Sequence, residues 1–164
     1  MKRVLLDTNI YGEIAIDPKL ELLREKLLLK EKAVFYGLDV VRRELRATPK
    51  GERIGGKSLR MLLLNLYDTI VKRELVVTRE VEETAGSYFE AYAKLGGRKP
   101  REGIIKDFLI VAAASIHGLD VVVSNDKSSM LSEEARKAYM LVNGIKKIPH
   151  SAFLLYKDFR RWFV

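Results

Sequence analysis

The segment Val4-Leu5-Leu6-Asp7-Thr8-Asn9 places the strongest limit on how this chain can fold. A short apolar run of this kind predicts a strand that is buried on both faces, as in a parallel sheet. Thr8 and Asn9 are residue types that begin helices, so we expect the strand to turn directly into one. In open parallel sheets, ligands bind at the carboxyl ends of the strands, where Asp7 would stand. Asp7 is therefore a candidate functional residue, with a simple helix cap as the alternative.

Further apolar runs alternate with helical patterns along the rest of the chain. Strands are predicted at 33–36, 75–78, 121–123 and 146–148. Helices are predicted at 17–28, 38–47, 58–72, 80–95 and 103–117, in a polar stretch through 139, and from Pro149 onward. This alternation favours an α/β fold of three layers (α/β/α) with a central, mostly parallel sheet. A chain of 164 residues suits one domain, 1–164, with 148–164 as a C-terminal helical extension packed on it.

Composition excludes several classes of protein. The chain has no Cys, which excludes disulfide frameworks and thiolate metal sites. The longest later apolar run, Phe108 to Ala114, is far shorter than the roughly 18 residues of a membrane span. The N-terminal apolar run ends at Asp7, too early for a secretory signal. We therefore expect a cytoplasmic protein without membrane association.

The net charge of +8 has an uneven distribution along the chain. Basic residues crowd two Gly-containing loops, 49–57 and 96–101. Flexible basic loops suit contacts with the phosphates of a nucleic acid, which position a strand without reading its bases. Solvated linkers are the simpler alternative.

Three more acids recur in positions that match Asp7. Asp126 follows the apolar strand Val121–Val123, and Asp107 opens an apolar helix, where a carboxylate is costly unless it is paired or bound to metal. Glu44 lies on the apolar-leaning side of a short helix. The simpler alternatives are a helix cap for Asp126, a solvated helix-terminal charge for Asp107 and a surface position for Glu44.

Together, these acids have no Cys and no paired His beside them. Oxygen ligands of this kind suit Mg²⁺ or Mn²⁺ rather than zinc. A metal-loaded acidic site with basic surroundings suits phosphodiester hydrolysis, because the metal activates water and offsets charge on the leaving oxygen.

Four short motifs, in this order, resemble those of the PIN-domain family of ribonucleases: Val4–Asn9, Val40–Leu45, Lys106–Ala114 and Val121–Asp126. The resemblance spans about the first three quarters of the chain. It implies a parallel-sheet fold and Mg²⁺- or Mn²⁺-dependent endoribonuclease activity that leaves 5′-phosphate and 3′-hydroxyl ends. The implied catalytic and metal-binding acids are Asp7, Glu44, Asp107 and Asp126. The implied supporting residues are Thr8, Asn9, Ser124 and Asn125.

The resemblance also implies partners. Many small PIN proteins look like VapC toxins, which commonly form homodimers and bind an antitoxin that places a basic side chain in the acidic site. This chain departs from the compact toxin pattern in its long Gly/Lys loop after Glu44 and in its aromatic-basic tail. The expected RNA contacts are Arg42, Arg43, Lys50, Lys57, Arg98, Lys99, Lys106 and Lys127.

Two other functions compete with this hypothesis. A phosphatase of the haloacid dehalogenase type also begins with an Asp after the first strand. That chemistry needs a second Asp two residues later, where this chain has Asn9. A PIN-like scaffold that binds RNA or protein without cutting is the alternative outside enzymes.

Overall fold

The computed structural model of the protein describes residues 1–29 and 31–164. Its strands are β1 (Lys2–Leu6), β2 (Ala33–Leu38), β3 (Arg53–Ile54), β4 (Lys57–Ser58), β5 (Val71–Leu75), β6 (Val121–Val123) and β7 (Ala152–Leu154). Its helices are α1 (Thr8–Ala15), α2 (Leu20–Leu28), α3 (Asp39–Arg46), α4 (Leu59–Ile70), α5 (Arg79–Lys94), α6 (Arg101–Ile116), α7 (Glu133–Lys146) and α8 (Tyr156–Arg160).

Five of the strands form one parallel sheet in the order β5-β2-β1-β6-β7. The chain moves outward from β1 through β2 to β5, then returns to the other side of β1 with β6 and β7. Because such crossovers are right-handed, α1 to α4 cover one face and α5 to α7 the other. The helices pack accordingly, with α4 against α1 and α3, and α5 against α6 and α7. The predicted three-layer α/β/α fold is confirmed.

The reversal of direction creates a switch point between the carboxyl ends of β1 and β6. The two strands are paired from Val4 with Val121 to Leu6 with Val123, and the backbone N–H of Asp7 donates to the carbonyl of Val123 at 2.9 Å. Ligand crevices in open α/β sheets form at such points. The fold therefore places Asp7 and the Ser124–Asp126 turn side by side.

The core lies on both faces of this sheet. Residues Val4–Leu6 and Val121–Val123 are buried, as their apolar runs predicted. Helix α6 is buried along Ile110–Ser115 and ends before Gly118, whose positive φ of 61° suits a residue that follows a helix. No helix in the described part of the chain is long and apolar enough to cross a membrane.

Two predicted elements in the first half differ in the structure. The strand predicted at 75–78 lies at Val71–Leu75, at one edge of the sheet, where Lys72, Arg73 and Glu74 are exposed. The first basic loop is folded into the β3–β4 hairpin. Its turn uses Gly55 and Gly56 at φ values of 56° and 78°, because tight hairpin turns need a positive φ.

The predictions of a strand at 146–148 and of a helix from Pro149 are wrong. Lys146 ends α7, and the last strand is Ala152–Leu154, so the segment 148–164 begins as part of the sheet rather than as a helix. The backbone N–H groups of Ala152 and Ser124 donate to the carbonyls of Asp120 and Leu154 at 2.9 and 3.0 Å. Pairing with β6 on one side explains why this short segment is extended.

Candidate acidic site at the switch point

Asp7 lies at the carboxyl end of β1 and is almost completely buried, with 4% of its surface exposed. Its carboxylate accepts hydrogen bonds from the Thr8 N–H and from the Ser124 hydroxyl, both at 2.7 Å. The first bond makes Asp7 the N-cap of α1, as the simpler alternative for this residue predicted, and Thr8 is the first residue of the helix. Burial raises the pKa of Asp7, these two bonds oppose the increase, and Glu44 and Asp126 add to it.

Ser124 links the two sides of the switch point. Its fully buried hydroxyl donates to Asp7 and accepts a hydrogen bond from the backbone N–H of Asp126 at 3.1 Å. The carboxylate of Asp126 accepts from the Ser128 hydroxyl at 3.2 Å and from the Ser129 N–H at 3.0 Å. Asp126 thus stabilises the turn after β6 and is linked to Asp7 through Ser124. Its simpler alternative, a cap for the following helix, is wrong, because Ser132 is the N-cap of α7.

The side chain of Glu44 extends from α3 to Thr8, the residue that follows Asp7. One of its carboxylate oxygens accepts a hydrogen bond from the Thr8 hydroxyl, and the other lies 3.1 Å from the ammonium of Lys106 on α6. Its side chain is 27% exposed. Glu44 is therefore fixed between the start of α1 and the second turn of α6.

Asp107, also on α6, is half-buried. Burial, together with the carboxylates of Asp7, Asp126 and Glu44, raises the pKa of Asp107 to about 7, and Lys99 opposes the increase. Contacts also link these residues, because Ser124 bonds to both Asp7 and Asp126, and Lys106, directly before Asp107, binds Glu44. The fold therefore brings the four acids predicted from the sequence into one electrostatic environment.

The four acids have the donor chemistry that Mg²⁺ or Mn²⁺ prefers, since all their ligand atoms are carboxylate oxygens. In this structure, however, their side chains are not arranged as the ligands of a metal ion. Within residues 1–29 and 31–164, no three carboxylate or imidazole side chains stand close enough together to hold an ion. Asp7 and Asp126 instead accept hydrogen bonds from protein groups, and Glu44 forms an ion pair with Lys106.

Comparison with solved structures shows which known fold the chain has. DNA-bound VapBC from Salmonella typhimurium contains a chain that superposes with a TM-score of 0.60 at 18% identity, over 95% of this chain and 99% of that one. A chain of VapBC2 from Rickettsia felis, bound to a DNA fragment from its promoter, superposes with a TM-score of 0.59 at 14% identity, over 93% of this chain and 98% of that one. This chain has the PIN-domain fold. The PIN-like fold predicted from the four motifs is confirmed.

A third solved structure with this PIN fold is FitAB bound to an IR36 DNA fragment. The TM-score is 0.56 at 18% identity, over 93% of this chain and 94% of that one. Neither a protein-family model nor a curated protein sequence matches the chain. The likeness is therefore one of fold.

The two asparagines predicted as supporting residues lie at the rim of the PIN fold's switch point and are exposed. The Asn125 side chain accepts a hydrogen bond from the Tyr156 N–H at 2.9 Å and donates to Glu13 at 3.4 Å, so it binds the C-terminal segment and α1 rather than one of the four acids. Asn9 lines an open groove of about 680 Å³. The groove runs from Thr8 and Asp126 to the apolar side chains of Ile54 and Leu63.

The predicted RNA-contacting residues divide into two sets. Lys106 binds Glu44 directly, and Lys99 reaches the acids through serines, because it donates to the hydroxyls of Ser128 and Ser129, and Ser128 donates to Asp126. Of the other six, Arg42 is bound to Asp68 by two hydrogen bonds of 3.0 Å, Arg43 is 3.6 Å from Asp39, and Lys50, Lys57, Arg98 and Lys127 are exposed. Sequence reasoning found Lys106 but not its pairing with Glu44, since nothing in the sequence signals a contact between α3 and α6.

Proposed function

We propose that this PIN-fold protein is an endoribonuclease that hydrolyses RNA phosphodiester bonds with Mg²⁺ or Mn²⁺. The convergence of four carboxylates from separate elements at the switch point carries the proposal. The raised pKa of Asp107 supports it, because burial beside several other carboxylates is an arrangement typical of functional sites. The basic side chains around the acids supply the affinity for a polyanion.

In this proposal, Asp7, Glu44, Asp107 and Asp126 hold the metal. The ion would lower the pKa of a bound water and offset negative charge on the phosphate. Ser124 orients Asp7 through the 2.7 Å hydrogen bond, and Thr8 orients Glu44. Lys99 and Lys127 retain the RNA backbone beside the acids.

Product analysis tests the reaction. With Mn²⁺ and a labelled single-stranded RNA, we expect internal cuts that leave 5′-phosphate and 3′-hydroxyl ends. Asp7→Asn and Asp126→Asn are expected to abolish cutting while the protein remains folded. Asp120→Asn is the matched control, because that carboxylate binds Arg3 at the opposite end of β6 and should leave cutting intact. Native rates in either site variant would remove that acid from the site.

One observation favours a second function, an RNA- or protein-binding scaffold without catalysis. In the described residues, no three acids are close enough to hold an ion, and protein groups already engage three of the four. Calorimetry with Mn²⁺ separates the two functions. A scaffold would bind RNA at the same affinity with and without Mn²⁺ and would bind no metal.

We further propose that the protein is the toxin of a toxin–antitoxin pair and acts as a homodimer. The support is the likeness in fold to chains of VapBC and FitAB assemblies bound to DNA. Expression of this chain alone should then arrest growth, and co-expression of the adjacent reading frame should relieve the arrest. Arrest by the Asp7→Asn variant at the native level would contradict a toxic nuclease activity.

A further inference from the structure

We infer that Lys106 is a positioning residue that controls whether Glu44 is available to a divalent cation. The inference rests on the proposed metal-dependent function and adds a regulator to it. The ammonium of Lys106 lies 3.1 Å from a carboxylate oxygen of Glu44, so a divalent cation that used this oxygen as a ligand would have to displace it. Metal and Lys106 therefore compete for the same carboxylate.

Both oxygens of Glu44 are engaged in the structure. Oε1 lies 3.1 Å from the Lys106 ammonium, and Oε2 accepts the hydrogen bond from the Thr8 hydroxyl. Lys106 is on α6, directly before Asp107, whereas Glu44 is on α3. The ion pair thus crosses the acidic site from one helix to another and holds Glu44 between Thr8 and Lys106.

Lys106 differs from the other groups that touch the acids. Asp7 and Asp126 are held by neutral donors, namely hydroxyls and backbone N–H groups. Lys99 donates to the hydroxyls of Ser128 and Ser129 rather than to a carboxylate. Among the residues that the structure describes, Lys106 is thus the cation that pairs directly with one of the four acids.

Exposure makes this contact reversible. The Lys106 side chain is 61% exposed, so its ammonium can move into water without losing a buried position. A divalent cation near Glu44 would repel the ammonium and would also compete for the carboxylate oxygens. Without metal, the same ammonium offsets the mutual repulsion of the acids. Lys106 should therefore weaken metal binding and stabilise the metal-free protein.

Calorimetry with Mn²⁺ alone, without RNA, tests this competition. Lys106→Met is expected to bind Mn²⁺ about two- to fivefold more tightly than the native protein, because the lost ion pair is partly exposed and such pairs are weak. Lys106→Arg keeps the charge and should bind as the native protein does. Lys137→Met is the matched control, because Lys137 is 60% exposed and lies 2.9 Å from Glu133 on α7. That variant should leave the Mn²⁺ affinity unchanged.

Thermal unfolding gives a second measurement that does not depend on activity. In EDTA, Lys106→Met should unfold at a lower temperature than the native protein, because the acids lose their counter-ion. Saturating Mn²⁺ should then raise its Tm by more than it raises the native Tm.

The outcomes separate this inference from the proposed function. Equal Mn²⁺ affinities for native protein and Lys106→Met would overturn the competition and leave the nuclease proposal standing. A similar increase in the Mn²⁺ affinity of Lys137→Met would show that net charge causes the effect and would also overturn the competition. No Mn²⁺ binding by any of the proteins would overturn both.

Discussion

Asp107 stands on α6 with the carboxylates of Asp7, Asp126 and Glu44 close enough to affect its charge. Its raised pKa, about 7, means that the folded protein binds this proton more tightly than the unfolded chain does. The contribution of Asp107 to the free energy of unfolding therefore falls as the pH rises from about 4 to about 7. Asp107→Asn removes this cost, so in EDTA at pH 8 it should stabilise the protein by about 1–3 kcal/mol, and at pH 4 by little. Denaturant unfolding at the two pH values measures the difference.

Asp120→Asn is a control that should change the stability at pH 8 in the opposite direction. Hydrogen bonds from the Arg3 backbone and side chain lower the pKa of Asp120, so this substitution should destabilise the protein at pH 8. If Asp107→Asn instead destabilised the protein equally at both pH values, the acids would not face one another as described.

Gly37 in β2 faces the buried ring of Tyr67. A Cβ at this position would lie 2.0 Å from the Tyr67 hydroxyl and 2.9 Å from a methyl group of Val71. Tyr67 cannot move away freely, because its hydroxyl donates to Glu74 at 2.7 Å. Gly37→Ala should therefore cost about 1–3 kcal/mol of stability, as measured by denaturant unfolding.

Gly12 on α1 is the matched control for that substitution. A Cβ there would meet nothing within 4 Å, so Gly12→Ala should raise stability by about 0.5–1 kcal/mol, as expected for a helical position. A neutral result for Gly37→Ala would contradict the close packing of Tyr67 on β2.

At the scale of single residues, the sequence predicted which acids are candidates for the site, but not which residues contact them. Apolar runs that end in a carboxylate pointed to Asp7 and Asp126, and the apolar helix pointed to Asp107. The partners of these acids come from distant segments, as with Ser124 for Asp7 and Lys106 for Glu44. Contacts of this kind depend on which strands become neighbours, and no local pattern records that.

At the scale of elements, a buried ion pair anchors the C-terminal segment. We expected Asp17 to begin a helix, but α2 begins at Leu20, and Asp17 accepts hydrogen bonds from Arg160 at 2.5 and 2.9 Å and from Tyr156 at 2.7 Å. The hydrogen bonds from Arg160 are the main reason that the pKa of Asp17 is well below its usual range. The pair joins α8 to the loop that follows α1.

Removing the carboxylate of Asp17 leaves the partly buried guanidinium of Arg160 without its partner. Asp17→Asn should lower the free energy of unfolding at pH 7 by about 2–4 kcal/mol, somewhat less than for a fully buried pair, since Arg160 is partly exposed. Because the pKa of Asp17 is lowered by folding, its contribution is present above about pH 4 and is lost as the pH falls further. The deficit of the variant should therefore shrink toward pH 2.

Asp158 serves as the comparison for Asp17. It pairs with Arg161 at 3.2 Å, but both side chains are exposed, so Asp158→Asn should change stability by less than about 1 kcal/mol. Equal effects of the two substitutions would show that the buried pair does not anchor the segment.

The elements that the sequence misplaced, β5 and β7, are both edge strands. β5 carries three exposed charged residues, Lys72 to Glu74, which hide the apolar signal of a strand. In the tail, Phe153, Leu154, Phe159 and Trp162 suggest one apolar helical stripe, although the first two lie in β7. The central strands β1 and β6 were placed correctly, because burial on both faces demands unbroken apolar runs.

At the scale of the whole molecule, α7 exposes an apolar surface formed by Met140, Leu141 and Ile145, which are 66, 51 and 74% exposed. If the protein is a homodimer, this surface is the face that we expect the second copy to cover. Light scattering should then find a dimer for the native protein and a monomer for the double variant Leu141→Glu/Ile145→Glu. Met61→Glu, at an exposed apolar residue on α4, should remain a dimer. A native monomer, or a dimer in the double variant, would contradict this interface.

The proposed nuclease function depends on whether the acids at the switch point cut RNA with a metal. The most direct measurement is cleavage of a labelled single-stranded RNA by native protein and by Asp107→Asn, each across a Mn²⁺ titration that starts from EDTA. We expect no native cleavage in EDTA, saturable cleavage with Mn²⁺, and at least about a hundredfold loss in Asp107→Asn. Native cleavage that is unchanged by EDTA, or an Asp107→Asn protein that cuts at the native rate, would contradict the proposed function.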